Sequence, residues 1–269
     1  MTGRRGHVPF SVASAPVGHG GAMKTSTFLT GLATGALAAG VLTTTYAADS
    51  APAPAAAPQG PASVNPADFT NPQPNAYFPL KPGLVTRLRG TDEGEHFREV
   101  VRVTDRHRRI EGVRTTVVKD VVRRPDGSLA EKTHDWYAAD NDGTVWYFGE
   151  ATATYTRSGA VDDREGSWES GKDGAEAGIV MPADPRPTDA FRQEFKRGEA
   201  EDQAWVVQRN ARRSVPAGHF RHVVRSFEWS RLEPHVVSVK FYARGVGIIA
   251  EQDLAGGAET FALTSVKRP

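Results

Sequence analysis

The sequence predicts a mainly β fold: a single antiparallel meander curled into a half-barrel or barrel-like sheet, with one long irregular loop. Three observations predict it. Apolar and polar residues alternate with a period of two in short runs between residues 77 and 269. Turn dipeptides interrupt those runs about every 8–12 residues. No window of helical length in that region carries an apolar stripe at i, i+3, i+4 and i+7.

Taken in order, the folding signals begin at YFPLKPG, Tyr77 to Gly83. Phe97, Val101 and Val103 alternate with Arg98 and Arg102. Val113, Thr115, Val117 and Val121 alternate with Arg114 and Asp120, which puts Asp120 on the polar side. RPDGS (124–128) then supplies a Pro-Asp-Gly turn. In WYAADNDGTVWYFGE, Trp136 to Glu150, Asp142-Gly143 reads as a two-residue hairpin turn in which Gly supplies positive φ. That register sets Tyr137 opposite Phe148 and Ala139 opposite Trp146 on one face, with Ala138 and Tyr147 on the other. Residues 158–188 break the rhythm with a Gly-, Asp- and Glu-rich loop, and loops of that length are generally functional or mobile. Residues 199–210 could form a short helix. Val237, Val239 and Phe241 alternate with Ser238 and Lys240, and AGGAE (255–259) turns the chain into a last strand, 260–266. Roughly ten or eleven strands result, enough for one core in a single domain.

The chain ahead of this domain has a different character. Residues 1–22 hold no acid and no periodic apolar pattern, and read as an over-extended start or an atypical n-region, with Met23 the more natural beginning than Met1. Residues 23–47 have the order of a signal peptide: Lys24, an apolar run from Phe28 to Leu42, then small residues with cleavage expected near Ala47. The run falls short of the ~20 apolar residues that span a bilayer, so no transmembrane segment is expected in the mature chain. Residues 48–76, rich in Pro and Ala, bury too little surface to offset ordering entropy and read as a disordered spacer. Residues 77–269 form the β-domain.

There is no cysteine, so a lipidated cysteine, disulfides and thiolate metal sites are absent. The formal charge is +1, from 33 bases and 32 acids. Arg4, Arg5 and Lys24 are the only charged residues before residue 48, so the mature chain keeps 30 bases against the same 32 acids. A near-neutral count argues against nucleic acid as a partner.

Candidate sites concentrate in and beside the long loop. Glu165, Glu169 and Asp173 recur four apart around Trp168, and Glu150 and Glu194 flank the loop. Paired carboxylates with a stacking aromatic are what glycoside hydrolysis requires, which makes Glu165, Glu169 and Asp173 the catalytic candidates and Trp168, Glu150 and Glu194 the binding candidates. An acidic loop anchored over the sheet by Trp168 is the simpler alternative. No metal site is expected. DNDG at 140–143 lacks calcium-loop spacing, and His219 and His222 in a strand face opposite ways. No cofactor motif is present.

The strings AYFPLKPG, DWYAADNDGTVWYFGE, GSWESGKDGAEAGIVMPADPRPTDAFRQEF, GEAED and FYARGVGIIAE resemble a family of uncharacterised exported proteins of actinobacterial type. More distantly, the chain is similar to exported β-rich domains of unknown function. The resemblance covers about Tyr77 to Val266 and implies export and a β-rich fold; it brings no catalytic residues. Lys172 departs from it, standing where an apolar residue is expected. The leading expectation is a non-enzymatic exported domain, secreted or envelope-associated, that binds an envelope lipid, glycan or partner protein in a concave face. The alternatives are a secreted hydrolase using the acidic loop on polysaccharide, and a structural envelope component.

Overall fold

In the computed structural model, which describes residues 64–269, every alternating run becomes a strand of one antiparallel sheet. Residues 1–22, the signal-like segment 23–47 and the first part of the expected spacer lie outside the described residues. The first five strands are β1 (Val85–Asp92), β2 (Glu95–Ile110), β3 (Val113–Arg123), β4 (Leu129–Ala139) and β5 (Val145–Thr154). Four short ones follow: β6 (Trp168–Glu169), β7 (Glu176–Met181), β8 (Ala190–Arg192) and β9 (Glu194–Phe195). The last five are β10 (Asp202–Val215), β11 (Gly218–Ser230), β12 (Val237–Ala243), β13 (Gly247–Ala255) and β14 (Thr260–Lys267).

Strand order around the sheet is β8-β10-β11-β12-β13-β14-β1-β2-β3-β4-β5-β7-β9, with β6 added to β5. The pairing of β14 with β1 joins the two ends of the meander. Closure falls to residues 190–195. Their first half pairs with β10 and their second half with β7, so the chain hands over between the two edges. The wall is therefore a nearly closed barrel with one seam instead of a continuous ladder. Gly178 permits the close approach there, because a Cβ would lie 2.3 Å from the Gln193 carbonyl. Closing a sheet in this way removes exposed edges that would otherwise template association.

The interior confirms the curl. Tyr137 on β4, Tyr147 on β5, Trp168 on β6, Val206 on β10, Val224 on β11 and Tyr242 on β12 belong to one buried cluster, although β4 and β12 are far apart in the sheet order. A second cluster gathers Leu88, Phe97, Val122, Phe261 and Leu263. The distal half of the β10–β11 hairpin lies against it, with the Arg213 guanidinium 4.4 Å from the Phe241 ring.

The structure corrects five sequence expectations. The hairpin turn spans four residues, 140–143, because Asp140 Oδ1 accepts from the backbone N–H groups of Asp142 and Thr144, while Gly143 alone takes positive φ. This slips the register by one, pairing Tyr137 with Tyr147 and Ala138 with Trp146. A one-residue slip moves every side chain to the other face, so both tyrosines point inward and stack with centroids 4.6 Å apart. Residues 158–188 are only partly irregular, since β6 and β7 lie within them. Within 199–210, residues 202–210 belong to strand β10 instead of a helix, because Ala204 and Val206 are buried and pair across to β11. Residues 64–76, assigned to the spacer, are docked: a 3-10 turn at Pro66–Phe69 sets the Phe69 ring edge-on to Trp146 and Phe148. Finally, Asp120 lies among the inward residues with Val118 and Val122, and is 4% exposed.

Candidate functional site

Register fixes which side chains share the inner face, and that face is rich in carboxylic acids. Across β1 to β5, the inward partners include Glu99 opposite Val122, Asp120 opposite Thr133, and Asp135 opposite Glu150. On the other side of the barrel Lys240 stands opposite Glu251 and Ser226, with Glu228 next along β11. All of these groups are buried.

Burial without a matching number of cations shifts the acids toward their protonated form. Desolvation raises Asp120 from 3.8 to about 6 and Glu131 from 4.5 to about 8, the latter helped by Asp120. Desolvation with Asp120 nearby lifts Asp135 to about 7. Glu99 is raised well above its usual value by burial, then by Asp120 beside it and by Glu251 and Glu259. Glu259 rises for the same reasons, burial first and Glu251 second. Lys240 is the exception among the inner groups. Burial opposes its charge, but Glu228 at 2.9 Å and Glu251 at 3.3 Å hold it cationic.

Three of the residues singled out in the sequence converge. Trp168 Nε1 donates to Glu194 Oε2 at 2.8 Å, and the indole meets the Tyr147 ring edge-on at 5.3 Å. Glu150 pairs in register with Trp168, and its charge is felt by Glu194. Tyr147 Oη completes the node by donating to Asp135 Oδ1 at 2.8 Å. Gly149 makes the β5–β6 contact possible, since a Cβ there would sit 2.3 Å from the Trp168 carbonyl oxygen. This end of the barrel is filled by side chains.

The other three are dispersed. Glu165 and Asp173 are exposed, and Asp173 has a left-handed backbone. Glu169 is held at the surface by Arg108 at 2.5 Å and Lys172 at 3.0 Å. That ion pair accounts for a charged residue at position 172. His219 and His222 bond different partners, Ser214 and Asn210.

Sequence reasoning missed a cavity of about 70 Å³ beneath the segment that crosses one mouth of the barrel. This strap begins at Asn75, whose side chain donates to the carbonyls of Gly143 and Pro182 and accepts from the N–H groups of Tyr77 and Phe78. It crosses to the β12–β13 turn, where Gly245 N–H donates to the Ala76 carbonyl. It ends where Gly83 N–H donates to the Val103 carbonyl and Val103 N–H donates to Leu84. Phe78, Leu80 and Leu84 form the roof; Val101, Val118 and Ile248 form the walls; Glu99 and Glu251 reach the lining from β2 and β13. The only hint in the sequence was the concentration of apolar residues and prolines in YFPLKPG.

No protein-family profile matches the chain, and no curated protein matches it. Two solved structures do. One is a protein described as exported, with a YmcC-like fold, from Bacteroides fragilis, 14% identical over 72% of this chain and 100% of the other, with a TM-score of 0.42. The other is a protein described as a lipoprotein from Parabacteroides distasonis, 13% identical over 72% of this chain and 100% of the other, with a TM-score of 0.39.

Proposed function

We propose that this chain is an exported, non-enzymatic binding domain that admits an amphipathic molecule with a basic head beneath the 75–84 strap. The carrying observation is the cavity's composition: a roof and walls of Phe78, Leu80, Leu84, Val101, Val118 and Ile248 around two buried carboxyl groups, Glu99 and Glu251. An apolar lining with a few convergent polar groups is the usual make-up of a small-molecule site. Acids outnumber bases around its floor, since Glu99 feels Asp120, Glu251 and Glu259, while the nearby Lys240 is paired with Glu228 and Glu251. An ammonium head placed there compensates groups that otherwise stay protonated.

About 70 Å³ holds roughly two waters at ~30 Å³ each, so a longer ligand enters only as the strap lifts. The strap is suited to this because its polar anchors sit at its ends, at Asn75–Ala76 and Gly83–Leu84, with apolar contacts between. Export rests on the signal-like order of residues 23–47, and membership of the exported actinobacterial-type family rests on the strings quoted above.

The test compares dodecylamine, dodecanol and laurate as stabilisers of the folded chain, alongside native mass spectrometry of protein taken from its own envelope. Dodecylamine is expected to raise the melting temperature most, with the gain lost in the Glu99→Gln, Glu251→Gln variant. No stabilisation by any of the three, with no molecule carried from the envelope, overturns the reading.

A further inference from the structure

The outer face of β1-β2-β3-β4 carries a grid of cations that the formal charge conceals. Register sets three arginines directly opposite one another on consecutive strands: Arg89 faces Arg98, and Arg98 faces Arg123. Four residues further along β2 the pattern repeats, as Arg102 faces Lys119 and Lys119 faces His134. Between these rows lie Arg87 on β1 and Lys132 on β4. Like charges placed directly opposite destabilise a sheet. Nothing here relieves them: among the described residues, none of Arg87, Arg89, Arg98, Arg102, Lys119, Arg123 and Lys132 makes an ion pair. Arg123 donates only to the Gly127 carbonyl.

Two further observations describe the same field. Arg102, Arg106, Lys119, Lys132 and His134 line an open groove of 660 Å³, in which Asp105 is the one acid. The His134 imidazole is depressed below its usual pKa, first by partial burial and then by Lys132, Lys119 and Arg106. A neutral His134 leaves the groove's charge to its Lys and Arg residues.

We propose that this face binds an acidic polysaccharide chain, one bearing carboxylate or phosphate groups along its length. The cations form a lattice, with strands ~4.8 Å apart and alternate residues ~7 Å apart along each strand, suited to a polymer carrying repeated charges. Single-stranded nucleic acid fits less well, because its binding sites rely on aromatic platforms for base stacking and these rows contain no Phe, Tyr or Trp. A bilayer surface also fits less well. Among the described residues, the exposed large apolar ones, Val161, Trp205 and Leu254, lie on other strands and loops, so this face offers no exposed large apolar side chain for insertion into lipid. The groove adjoins the strapped cavity, with Val103 lining both and Pro82 and Gly83 of the strap at its border, but its cations point outward and the two proposals are tested by different ligands.

The probe is polygalacturonate, with dextran as the neutral polymer, phosphatidylglycerol vesicles and oligothymidylate as the other polyanions, and salt concentration as the variable. Polygalacturonate is expected to bind, with affinity falling as salt rises, while dextran does not. The Arg102→Glu, Lys119→Glu variant is expected to lose affinity by on the order of tenfold or more. Arg221→Glu, an exposed position on the β10–β11 hairpin, leaves it unchanged. The single change Lys119→Glu controls for folding, because it replaces the like-charge contact with Arg102 by an attractive one and keeps or raises the melting temperature. Absence of polygalacturonate binding, indifference to the double variant, or equal or tighter binding of vesicles or oligothymidylate overturns the proposal.

Discussion

Lys119 and Asp120 are neighbours in the chain and lie on opposite sides of the barrel wall. Asp120 is 4% exposed and faces the interior, whereas Lys119 lines an open groove outside. The arrangement recurs at Arg98–Glu99, at Glu131–Lys132 and at His134–Asp135, each with its acid buried. Strand geometry alone produces this, since successive side chains point to opposite faces. Along β2, β3 and β4 the chain thus sorts its charge, with carboxylic acids inside and bases outside. A formal count of +1 adds groups that do not share a phase.

Stability should fall as pH rises through neutrality. In the unfolded chain the buried acids titrate near 3.8 and 4.5, whereas folded Asp120 titrates at about 6, Asp135 and Glu251 at about 7, and Glu131 at about 8. Below about pH 4 both states hold these protons, so the full stability is present. Above that the unfolded chain releases them first, the folded chain binds more protons, and each extra proton lowers stability by about 1.4 kcal/mol per pH unit. The loss is complete once pH passes the folded values. Melting curves from pH 5 to 8.5 should show a steady decline; a rise over that range contradicts the assignment.

Asp135→Asn isolates one contributor. The amide keeps the shape of the protonated acid and can still accept from Tyr147 Oη. The variant should be more stable than the parent at pH 8.5 by about 1–2 kcal/mol, keep only a minor part of that advantage at pH 5, and show a shallower pH slope. Urea unfolding at the two pH values measures both.

Trp168→Phe tests the filled end of the barrel. It removes the indole N–H from Glu194 while retaining a ring against Tyr147. Leaving a buried carboxyl without that donor should cost about 1–3 kcal/mol. Trp168→Tyr, which restores no donor at the indole position, should not recover it.

Much of the wall was legible in the sequence, because period-two alternation marks strands whichever residues occupy the inner face. The charged interior was not. At 113–121 the valines change faces between Thr115 and Val118, so extending one alternation through the whole run put Asp120 outside. The hairpin register depended on one side chain, Asp140, whose bonds to two backbone N–H groups favoured a four-residue turn over the two-residue one. Of the candidate sites, Trp168, Glu150 and Glu194 flank the same strand pairs and meet. Glu165 and Asp173 share only a loop, and spacing within a loop does not fix direction. The strap and the cation rows were beyond reach for another reason. Both depend on which distant strands pair, and Arg98 facing Arg123 follows from a register that no local pattern specifies.

The seam makes a fourth prediction. Gly178→Ala would place a methyl 2.3 Å from the Gln193 carbonyl, so either β7 or the 190–195 segment must move. Hydrogen exchange should accelerate at 176–181 and 190–195 while the β2–β3–β4 amides stay protected. Uniform destabilisation would show that closure at this handover is not a local feature.

The most direct test of the sorted charge is the net charge of the folded chain at pH 7, measured by electrophoretic mobility against the same chain unfolded in urea. If the interior acids are protonated in the folded state, the folded chain carries several more positive charges than the formal +1 of its sequence, and unfolding removes the excess. Equal charge in the two states would contradict a protonated acidic interior behind a basic wall.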